Sequence, residues 1–455
     1  SVIRAGVLPA LRSGLMGKLG STWYIADMKP GDTPILNLAT ALLQSGVLAT
    51  DGQLPEQDQG LAAALLAARL RQSDVALVRL LLERQLPEFS NLVILADQFE
   101  EIFRFQQRDP EEALAFVNLL LATAQELRVR AFVLLTMRSD FLGQCALFPG
   151  LPEALNDSQF LCPRLTRTQL REAIQLPALV GGGEVSEELA SQLVNDAGAN
   201  SDQLPLIQHA LARMWYQSNA TATQSGSMVR LTLESYQQAR GLVGGKPTGP
   251  SDNNVLSVHL DEVYNGLTDN AVGGLSRSRA QQVAEMVFRG LAERGSGGQL
   301  IRSPRTLKAI AGMVQQESQS LEQAVAEVIA VVEHFRSPDR SFLVPAHPVA
   351  LTGESVLDIS HEALIRQWQR LAGTWLEEEE QSRRRYRRLA EAASSEATAG
   401  LLRDPELSFL EDWWQKFAPR AVWADLTVAG SFDRTRAFLI RSREVVDSER
   451  RKSRN

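Results

Sequence analysis

Two short apolar runs, each followed closely by charged residues, constrain the fold of this chain more than any other feature. Asn91–Ala96 is followed by Asp97, and Ala131–Thr136 is followed two positions later by Arg138. Runs that are apolar at almost every position are typical of strands covered on both faces, as in a parallel sheet. Helix-like stretches separate the runs, so the alternation predicts a parallel α/β sheet with crossover helices.

The alternation covers residues 1–165, which are predicted to form one α/β domain. Trp23–Asp27 predicts a further strand and Gln159–Cys162 a weaker one. Helices are predicted over Ser1–Leu15 and Pro110–Leu127, and the Leu/Ala-rich region before the first apolar run is also predicted to be helical.

Residues 166–230 lose the strand-like runs and are predicted to form a helical domain. Helical spacing of apolar residues is found over residues 168–176, 187–196 and 204–216. A polar break is predicted over residues 218–229, and Gly181–Gly183 is interpreted as a linker.

Residues 231–375 are predicted to form a winged-helix domain. A Gly/Pro-rich stretch at 241–252 is predicted to be a flexible loop. Helices are predicted over 255–267, 279–294 and 321–334, and short strands over 341–344 and 356–359. Helices followed by a β-hairpin are the layout of a winged helix.

Residues 376–455 are predicted to be a helical linker or C-terminal region. Glu379 and Glu380 lie four residues before Arg383 and Arg384, a spacing that supports an exposed helix. Five tryptophans are interpreted as anchors between helices: Trp368, Trp375, Trp413, Trp414 and Trp423.

Composition excludes several classes of protein. Of the chain's residues, 44% are hydrophobic and 22% are charged, a composition that excludes wholesale disorder. The length of 455 residues exceeds what one hydrophobic core usually supports. A net charge of -7 argues against nucleic acid as the main partner, because phosphate binding requires a basic face. Arg302, Arg305 and Arg340 are interpreted as solvated surface charges rather than such a face.

The cysteines and the hydropathy pattern favour a cytoplasmic protein. Cys145 and Cys162 are too few for a disulfide framework or a cysteine zinc site, which fits a reducing compartment. The five histidines never fall in ligand-like pairs. No apolar run approaches the roughly 20 residues of a membrane helix, so no membrane partner is expected.

The acidic residues after the first apolar run are the strongest signal of a site. Asp97 follows a strand directly, where α/β proteins bind ligands in the crevice beyond the strand ends. A carboxylate there can hold Mg²⁺, and Glu100 or Glu101 can orient an attacking water. The alternative is a strand that ends in a solvated acidic turn.

Arg138 follows the second apolar run and adds a positive charge. A guanidinium can bind phosphate oxygens bidentately, so Arg138 could sense a terminal phosphate. The alternative is a surface ion pair with Asp140. An acid and a base at neighbouring strand ends together favour a Mg-nucleotide site.

A Gly-rich phosphate-binding loop ending in Lys-Ser or Lys-Thr does not occur in the sequence. Such a loop normally lies between a strand and the first helix of the domain. The helix predicted from Ser1 matches that first helix, so the strand and loop are expected immediately before residue 1. On its own, the chain is expected to bind ATP poorly and to be inactive as an ATPase.

These residues resemble the bacterial novel STAND NTPase family of signal-transducing P-loop ATPases, which are often fused to WD repeats. Ser1–Leu11 resembles the helix after the family's phosphate loop, and Lys29–Pro34 the turn after its second strand. Asp97–Phe103 resembles its Walker B stretch, and Thr136–Leu142 its sensor strand. The resemblance runs in order from about residue 1 to 375.

Two later motifs carry further implied contacts. Gln203–Leu211 resembles the Gly-x-Pro motif of the family's helical domain, although no glycine precedes the proline here, which implies that Pro205 packs near the adenine. Asp358–Trp368 resembles the winged-helix motif whose histidine touches the β-phosphate of ADP, which implies that role for His361.

The resemblance implies a regulatory ATPase that cycles between an ADP-bound closed form and an ATP-bound oligomer, with slow hydrolysis. Its cofactors would be ATP or ADP with Mg²⁺. Its partners would be further copies of itself and sensor or effector domains outside this chain. Two other functions stay open: a winged-helix DNA-binding regulator with an appended α/β domain, and a scaffold that no longer hydrolyses ATP.

Overall fold

The structure is a computed structural model of two compact units, Ser1–Arg164 and Leu165–Asn455. It describes residues 2–14, 16–17, 20, 22–48, 56–196, 203–225, 228–240, 242–243, 246–247, 255–270, 272–294, 298–316, 318–395 and 400–452. The four-part division predicted from the sequence is finer than these two units and stays a prediction.

A parallel sheet organises the first unit, as predicted. Its strands are β1 (Thr22–Met28), β2 (Ser90–Ala96) and β3 (Ala131–Leu135), in that order across the sheet. β2 is central and buried at every position, which explains why its sequence is apolar almost throughout. Met28 is aligned with Ala96, and Ala96 with Leu135, so the three strands end at one common edge.

Helices cover both faces of this sheet unequally. A wide helical turn at Ile3–Val7 leads into α1 (Leu8–Arg12), which packs on the face carrying Val93 and Leu95. The opposite face carries Leu92 and Ile94 and forms the larger core. The remaining helices of this unit are α2 (Pro34–Gln44), α3 (Glu56–Leu70), α4 (Ala76–Arg84), α5 (Glu101–Gln106), α6 (Pro110–Gln125) and α7 (Leu151–Asn156).

The weak strand predicted over Gln159–Cys162 is wrong. This segment pairs with no strand in the described part of the chain, and Phe160 and Leu161 are 84% and 78% exposed. A short apolar run becomes a strand only where a neighbouring strand satisfies its backbone hydrogen bonds. Among the described residues, β3 has a neighbour on one side only, so its outer edge faces no further strand.

The second unit begins with a helical region that contains two short strands missed by the sequence analysis. Its elements are α8 (Arg167–Val180), β4 (Gly183–Val185), α9 (Glu187–Asp196), α10 (Gln203–Ser225), β5 (Val229–Leu231) and α11 (Leu233–Ala239). β4 and β5 pair in parallel. The linker interpretation of Gly181–Gly183 is wrong, because a Cβ at Gly181 or Gly183 would lie 2.9 Å or less from the Trp215 ring.

The polar break predicted from residue 218 is also wrong, since α10 continues to Ser225. Within the predicted loop 241–252, β6 (Leu242–Val243) and β7 (Lys246–Pro247) form a small antiparallel pair. The rest of that loop lies outside the described residues.

The next region contains the three helices and two strands predicted for residues 255–375, together with elements that the sequence analysis missed. Its elements are α12 (Val255–Asn265), α13 (Arg277–Gly290), β8 (Ala292–Arg294), β9 (Leu300–Arg302), β10 (Arg305–Thr306), α14 (Leu307–Val314), α15 (Leu321–Arg336), β11 (Leu343–Val344), β12 (Val356–Ile359) and α16 (Glu362–Gln367). β12 lies between β10 and β11 in an antiparallel sheet.

His209 of α10 and His259 of α12 meet across this part of the second unit. His209 Nε2 lies 3.1 Å from His259 Nδ1, so one neutral ring donates a hydrogen bond to the other. Both rings also pack on Phe342. These two histidines are 50 residues apart in the chain, which is why sequence spacing did not pair them.

The C-terminal helices pack together around a hydrophobic core that also includes Met313 of α14. They are α17 (Leu376–Ser394), α18 (Glu406–Phe417), α19 (Ala421–Thr427) and α20 (Phe432–Lys452). The predicted pairs of Glu379 with Arg383 and of Glu380 with Arg384 are present. However, Glu379 is buried and accepts a hydrogen bond from Trp423 Nε1 at 2.6 Å, so the prediction of an exposed helix is wrong for the face that carries Glu379.

Within the described residues, no helix combines the length and the hydropathy needed to cross a bilayer.

Candidate functional site

Asp97 lies directly beyond β2, at the edge where the three parallel strands end. Its backbone N–H donates to the Met28 carbonyl at 2.8 Å, and its Oδ1 accepts the Thr136 hydroxyl at 2.5 Å. Its side chain is only 10% exposed. Asp97 is therefore held from both neighbouring strand ends, which fixes its carboxylate before any ligand binds.

The turn after Asp97 depends on the same threonine. Gln98 N–H donates to Thr136 Oγ1 at 3.0 Å, and Phe99 N–H donates to the Thr136 carbonyl at 2.8 Å. The backbone of Gln98 has a φ of 58°, in the left-handed region that residues other than glycine rarely adopt. Backbone strain of this kind concentrates at functional sites, and here it allows α5 to begin at Glu101, four residues after Asp97.

Glu100 and Glu101 are placed differently on this turn. Glu101 Oε2 accepts the backbone N–H of Gly31 at 3.0 Å, so this carboxylate holds the turn between β1 and α2. Glu100 immediately precedes α5 and is half-buried. The contact with Gly31 gives Glu101 a structural role that is absent from the sequence pattern.

Arg138 lies two residues beyond Thr136, at the end of β3. It forms an ion pair with Asp140 at 2.6 Å, with 40% of the Arg138 side chain and 63% of the Asp140 side chain exposed. The surface ion pair that the sequence left as the alternative is therefore formed. Exposed pairs contribute only about 0.2–1 kcal/mol, so the guanidinium could leave Asp140 for a more highly charged ligand at low cost.

The residues around Asp97 can be tested for their fit to a metal ion. The Asp97 carboxylate and the Thr136 hydroxyl are hard oxygen donors, which Mg²⁺ prefers. No group of three or more His, Cys, Asp and Glu side chains within the described residues is placed to hold a metal. Because Mg²⁺ usually takes one or two carboxylates together with waters and substrate phosphates, these residues fit Mg²⁺ that arrives with a nucleotide.

Pro205 and His361 both belong to the second unit. Pro205 lies in the first turn of α10, where a missing N–H costs no helix hydrogen bond. His361 is exposed and caps the N-terminus of α16, with its Nδ1 accepting the Ala363 N–H at 3.0 Å. The interpretation of His361 as a buried histidine, the alternative to a phosphate contact, is therefore wrong.

The cap also determines which ring nitrogen of His361 carries hydrogen. An Nδ1 that accepts a hydrogen bond has no proton, so the neutral imidazole carries its single N–H at Nε2. Nε2 is therefore the donor atom of the neutral His361 ring.

Comparison with known proteins decides which family these features belong to. The family model described as Novel STAND NTPase 1 matches residues 1–400, which is most of the chain. The chain belongs to this family. The resemblance noted in the sequence is thereby confirmed, and membership of an NTPase family implies nucleotide binding. No match was found among curated proteins or among solved structures.

Two residues of this novel STAND NTPase would not have been singled out from sequence alone. Thr136 was noted as the last residue of an apolar run and the first residue of the stretch that resembles a sensor strand, but it was given no role. In the structure its hydroxyl donates to the Asp97 carboxylate and accepts the Gln98 N–H. Asp27 was noted only as the end of a predicted strand, yet it forms an ion pair with Arg4 at 2.7 Å. The available signal was their common position at the ends of strands.

The three arginines near the small antiparallel sheet of this novel STAND NTPase are not solvated surface charges. Each is half-buried and bonded within the second unit. Arg302 Nη1 donates to Asp358 at 2.6 Å, Arg305 Nε to the Gly290 carbonyl at 2.7 Å, and Arg340 Nη1 to the His334 carbonyl at 2.6 Å. These bonds hold the fold together.

Proposed function

We propose that this chain carries the core of a nucleotide-gated signalling switch that closes around ADP and assembles when ATP replaces it, with slow hydrolysis. One observation carries the proposal within a chain of an NTPase family. Asp97 is buried and oriented by Thr136 where β2 ends, and Arg138 lies at the adjacent end of β3. An oriented carboxylate beside a guanidinium is the arrangement that a Mg-nucleotide requires.

Each residue receives a role in this proposal. Asp97 orders Mg²⁺, and Arg138 senses the γ-phosphate. We assign the positioning of water to Glu100 rather than Glu101, because the Glu101 carboxylate is engaged by Gly31 N–H. Asp97→Ala is accordingly the variant that removes Mg-dependent nucleotide binding.

The second unit supplies the moving part of the proposed switch. We take α13, α14, α15 and the antiparallel sheet β10–β12–β11 as a winged-helix domain, on the basis of the order of these elements. Pro205 packs near the adenine in this proposal, and His361 donates from Nε2 to the ADP β-phosphate in the closed form. A switch of this kind requires contacts that differ between ADP and ATP.

Arg138→Ala is expected to leave ADP affinity unchanged and to remove the preference for ATP. The guanidinium contacts a phosphate that only ATP has, and a charge-assisted contact is worth about 1.5–3 kcal/mol, or roughly ten- to hundredfold in affinity. Calorimetric titration with ATP and ADP measures both values, in a protein that has a phosphate-binding loop ahead of residue 1.

Asp140→Asn is the matched control for that experiment. It breaks the ion pair with Arg138 but keeps the guanidinium, so the preference for ATP should persist. An equal loss of ATP and ADP affinity in Arg138→Ala would contradict the sensor role.

His361→Ser and His361→Ala are expected to release ADP about ten- to hundredfold faster in the same longer protein, because both remove the Nε2–H donor. Serine still caps α16, whereas alanine does not, and loss of a cap costs about 0.5–2 kcal/mol. Only the alanine variant should therefore melt at a lower temperature.

The ADP off-rate and the melting temperature of both variants separate capping from nucleotide contact. If His361 acts only as a cap, the serine variant will release ADP at the rate of the parent protein, and the proposed contact with the β-phosphate is then excluded.

A further inference from the structure

Arg4 places a positive charge between two carboxylates at the edge where the strands of the first unit end. Its Nη2 donates to Asp27 Oδ1 at 2.7 Å and lies 3.3 Å from Asp97 Oδ2. One nitrogen makes both contacts, so the two carboxylates face the same small space. Asp27 lies on β1 and Asp97 directly beyond β2, and the parallel pairing of these strands brings the two side chains together.

The two contacts are unequal. Asp27 is the closer partner and is 34% exposed, whereas Asp97 is 10% exposed and is also held by Thr136. Arg4 is 43% exposed, on a long and flexible stem. Of these side chains Arg4 is the one that can move, while Asp97 stays in place.

The charge on Arg4 is secure. The hydrogen bond to Asp27 raises the pKa of the Arg4 guanidinium, and the nearby charges of Asp27 and Asp97 act in the same direction against partial burial. A divalent cation on Asp97 would lie within a few ångströms of the Arg4 guanidinium, which is 3.3 Å from Asp97 Oδ2. Because two positive charges this close repel each other, the cation and Arg4 would compete for the Asp97 carboxylate.

We propose that Arg4 holds the place of the metal ion: it neutralises Asp97 while no divalent cation is bound and withdraws onto Asp27 when the cation arrives. This rests on the proposed function, in which Asp97 orders Mg²⁺. Asp27 is then a positioning residue that acts through Arg4. Its ion pair keeps the guanidinium away from the metal once Arg4 has left Asp97.

The test measures Mn²⁺ binding by electron paramagnetic resonance with ADP present, in the same longer protein that has a phosphate-binding loop ahead of residue 1, because the residues around Asp97 fit a metal ion that arrives with a nucleotide. Mn²⁺ takes the same oxygen ligands as Mg²⁺. Arg4→Gln removes the competitor, so it should tighten Mn²⁺ binding about two- to fivefold, as expected for removing an ion pair whose arginine is 43% exposed. Asp27→Asn removes the closer carboxylate partner of Arg4, so Arg4 should stay on Asp97 and weaken Mn²⁺ binding.

The double variant Arg4→Gln/Asp27→Asn decides how Asp27 acts. If Asp27 works only through Arg4, the double variant should bind Mn²⁺ as tightly as Arg4→Gln does. Arg128→Gln is the matched control, because it breaks an ion pair with Glu126 elsewhere in the same unit and should leave Mn²⁺ binding unchanged. Arg4→Lys keeps the charge with fewer donors and should fall between the parent and Arg4→Gln.

Melting temperature supplies a second readout. In the presence of a chelator Arg4→Gln should melt lower than the parent, because two carboxylates then face each other uncompensated, and Mn²⁺ should raise its melting temperature more than that of the parent. Mn²⁺ affinity that is unchanged or weaker in Arg4→Gln but lost in Asp97→Ala overturns the place-holding role and leaves the metal role of Asp97 standing. Mn²⁺ affinity that survives in Asp97→Ala overturns both.

Discussion

Trp368→Ala is expected to lower the free energy of unfolding of the second unit by about 3–5 kcal/mol, the usual cost of truncating a buried aromatic residue. Trp368 is fully buried. Its ring meets Phe288 at 4.9 Å and Trp375 at 5.0 Å, both nearly edge-on, and its Nε1 donates to Asp261 at 3.0 Å. The substitution therefore leaves a cavity and removes a hydrogen bond.

Urea unfolding followed by circular dichroism measures this loss, and two control variants separate its causes. Trp368→Phe keeps most of the ring volume but loses the bond to Asp261, so we expect a loss of only about 1–2 kcal/mol. Trp414→Ala truncates a tryptophan that is only partly buried and should cost less than Trp368→Ala. A cost below about 1 kcal/mol for Trp368→Ala would show that the surrounding aromatic residues close the cavity.

Acidification from pH 7 to pH 4 is expected to destabilise the second unit through the pair of His209 and His259. Burial, reinforced by the charge of Arg213, lowers the pKa of His209 to about 4 and that of His259 to about 3. In the unfolded chain both titrate near 6.5. Because both folded values are lower, the stabilisation is complete above about pH 6.5 and is lost as the pH falls toward 4 and 3.

The expected slope follows from the protons that only the unfolded chain binds. Between pH 6 and 4, each histidine lowers the free energy of unfolding by at most about 1.4 kcal/mol for each unit that the pH falls. The pair therefore lowers it by up to about 2.7 kcal/mol per unit. The charged groups that act on the pair are Arg213, with its partner Glu262, and the neighbouring Asp339 and Arg340. Arg213 and Arg340 both lower the pKa of His259, and Asp339 opposes them only weakly, so these charges add to the cost of protonating the buried rings.

His209→Gln/His259→Gln is the matched control for the pH experiment. Glutamine can hydrogen-bond but does not titrate, so the denaturation midpoint of the double variant should fall less steeply between pH 7 and 4 than that of the parent. Carboxylates elsewhere contribute equally to both proteins. Parallel curves for the two proteins would mean that the histidines reach solvent or separate before they are protonated.

The parallel sheet of the first unit was predictable because its central strand is buried on both faces. β2 is apolar from Leu92 to Ala96, and a short run of this kind is typical of a strand in the interior of a parallel sheet. Gln159–Cys162 looks similar in sequence, but whether it becomes a strand depends on a neighbour that the local sequence does not specify. The missed strands β4 and β10 have three and two residues, too short for a period to be visible.

The candidate site was predictable at the level of strand ends and no further. Asp97 and Arg138 stand out because a charge follows an apolar run. The hydrogen bonds that orient the site join residues 23 to 70 positions apart in the chain. They are Arg4 to Asp27, Thr136 to Asp97 and Gly31 to Glu101. No sequence period connects such distances, so only the register of the sheet brings these residues together.

The length of α10 has a consequence for how the second unit would respond to a ligand. Its 23 residues make a rod of about 34 Å that bends little. The rod carries Pro205 in its first turn, His209 one turn later and the buried Arg213 after that. Because the helix is continuous, a ligand that tilts α10 at Pro205 would also move His209. The movement would change the contact between His209 and His259 of α12.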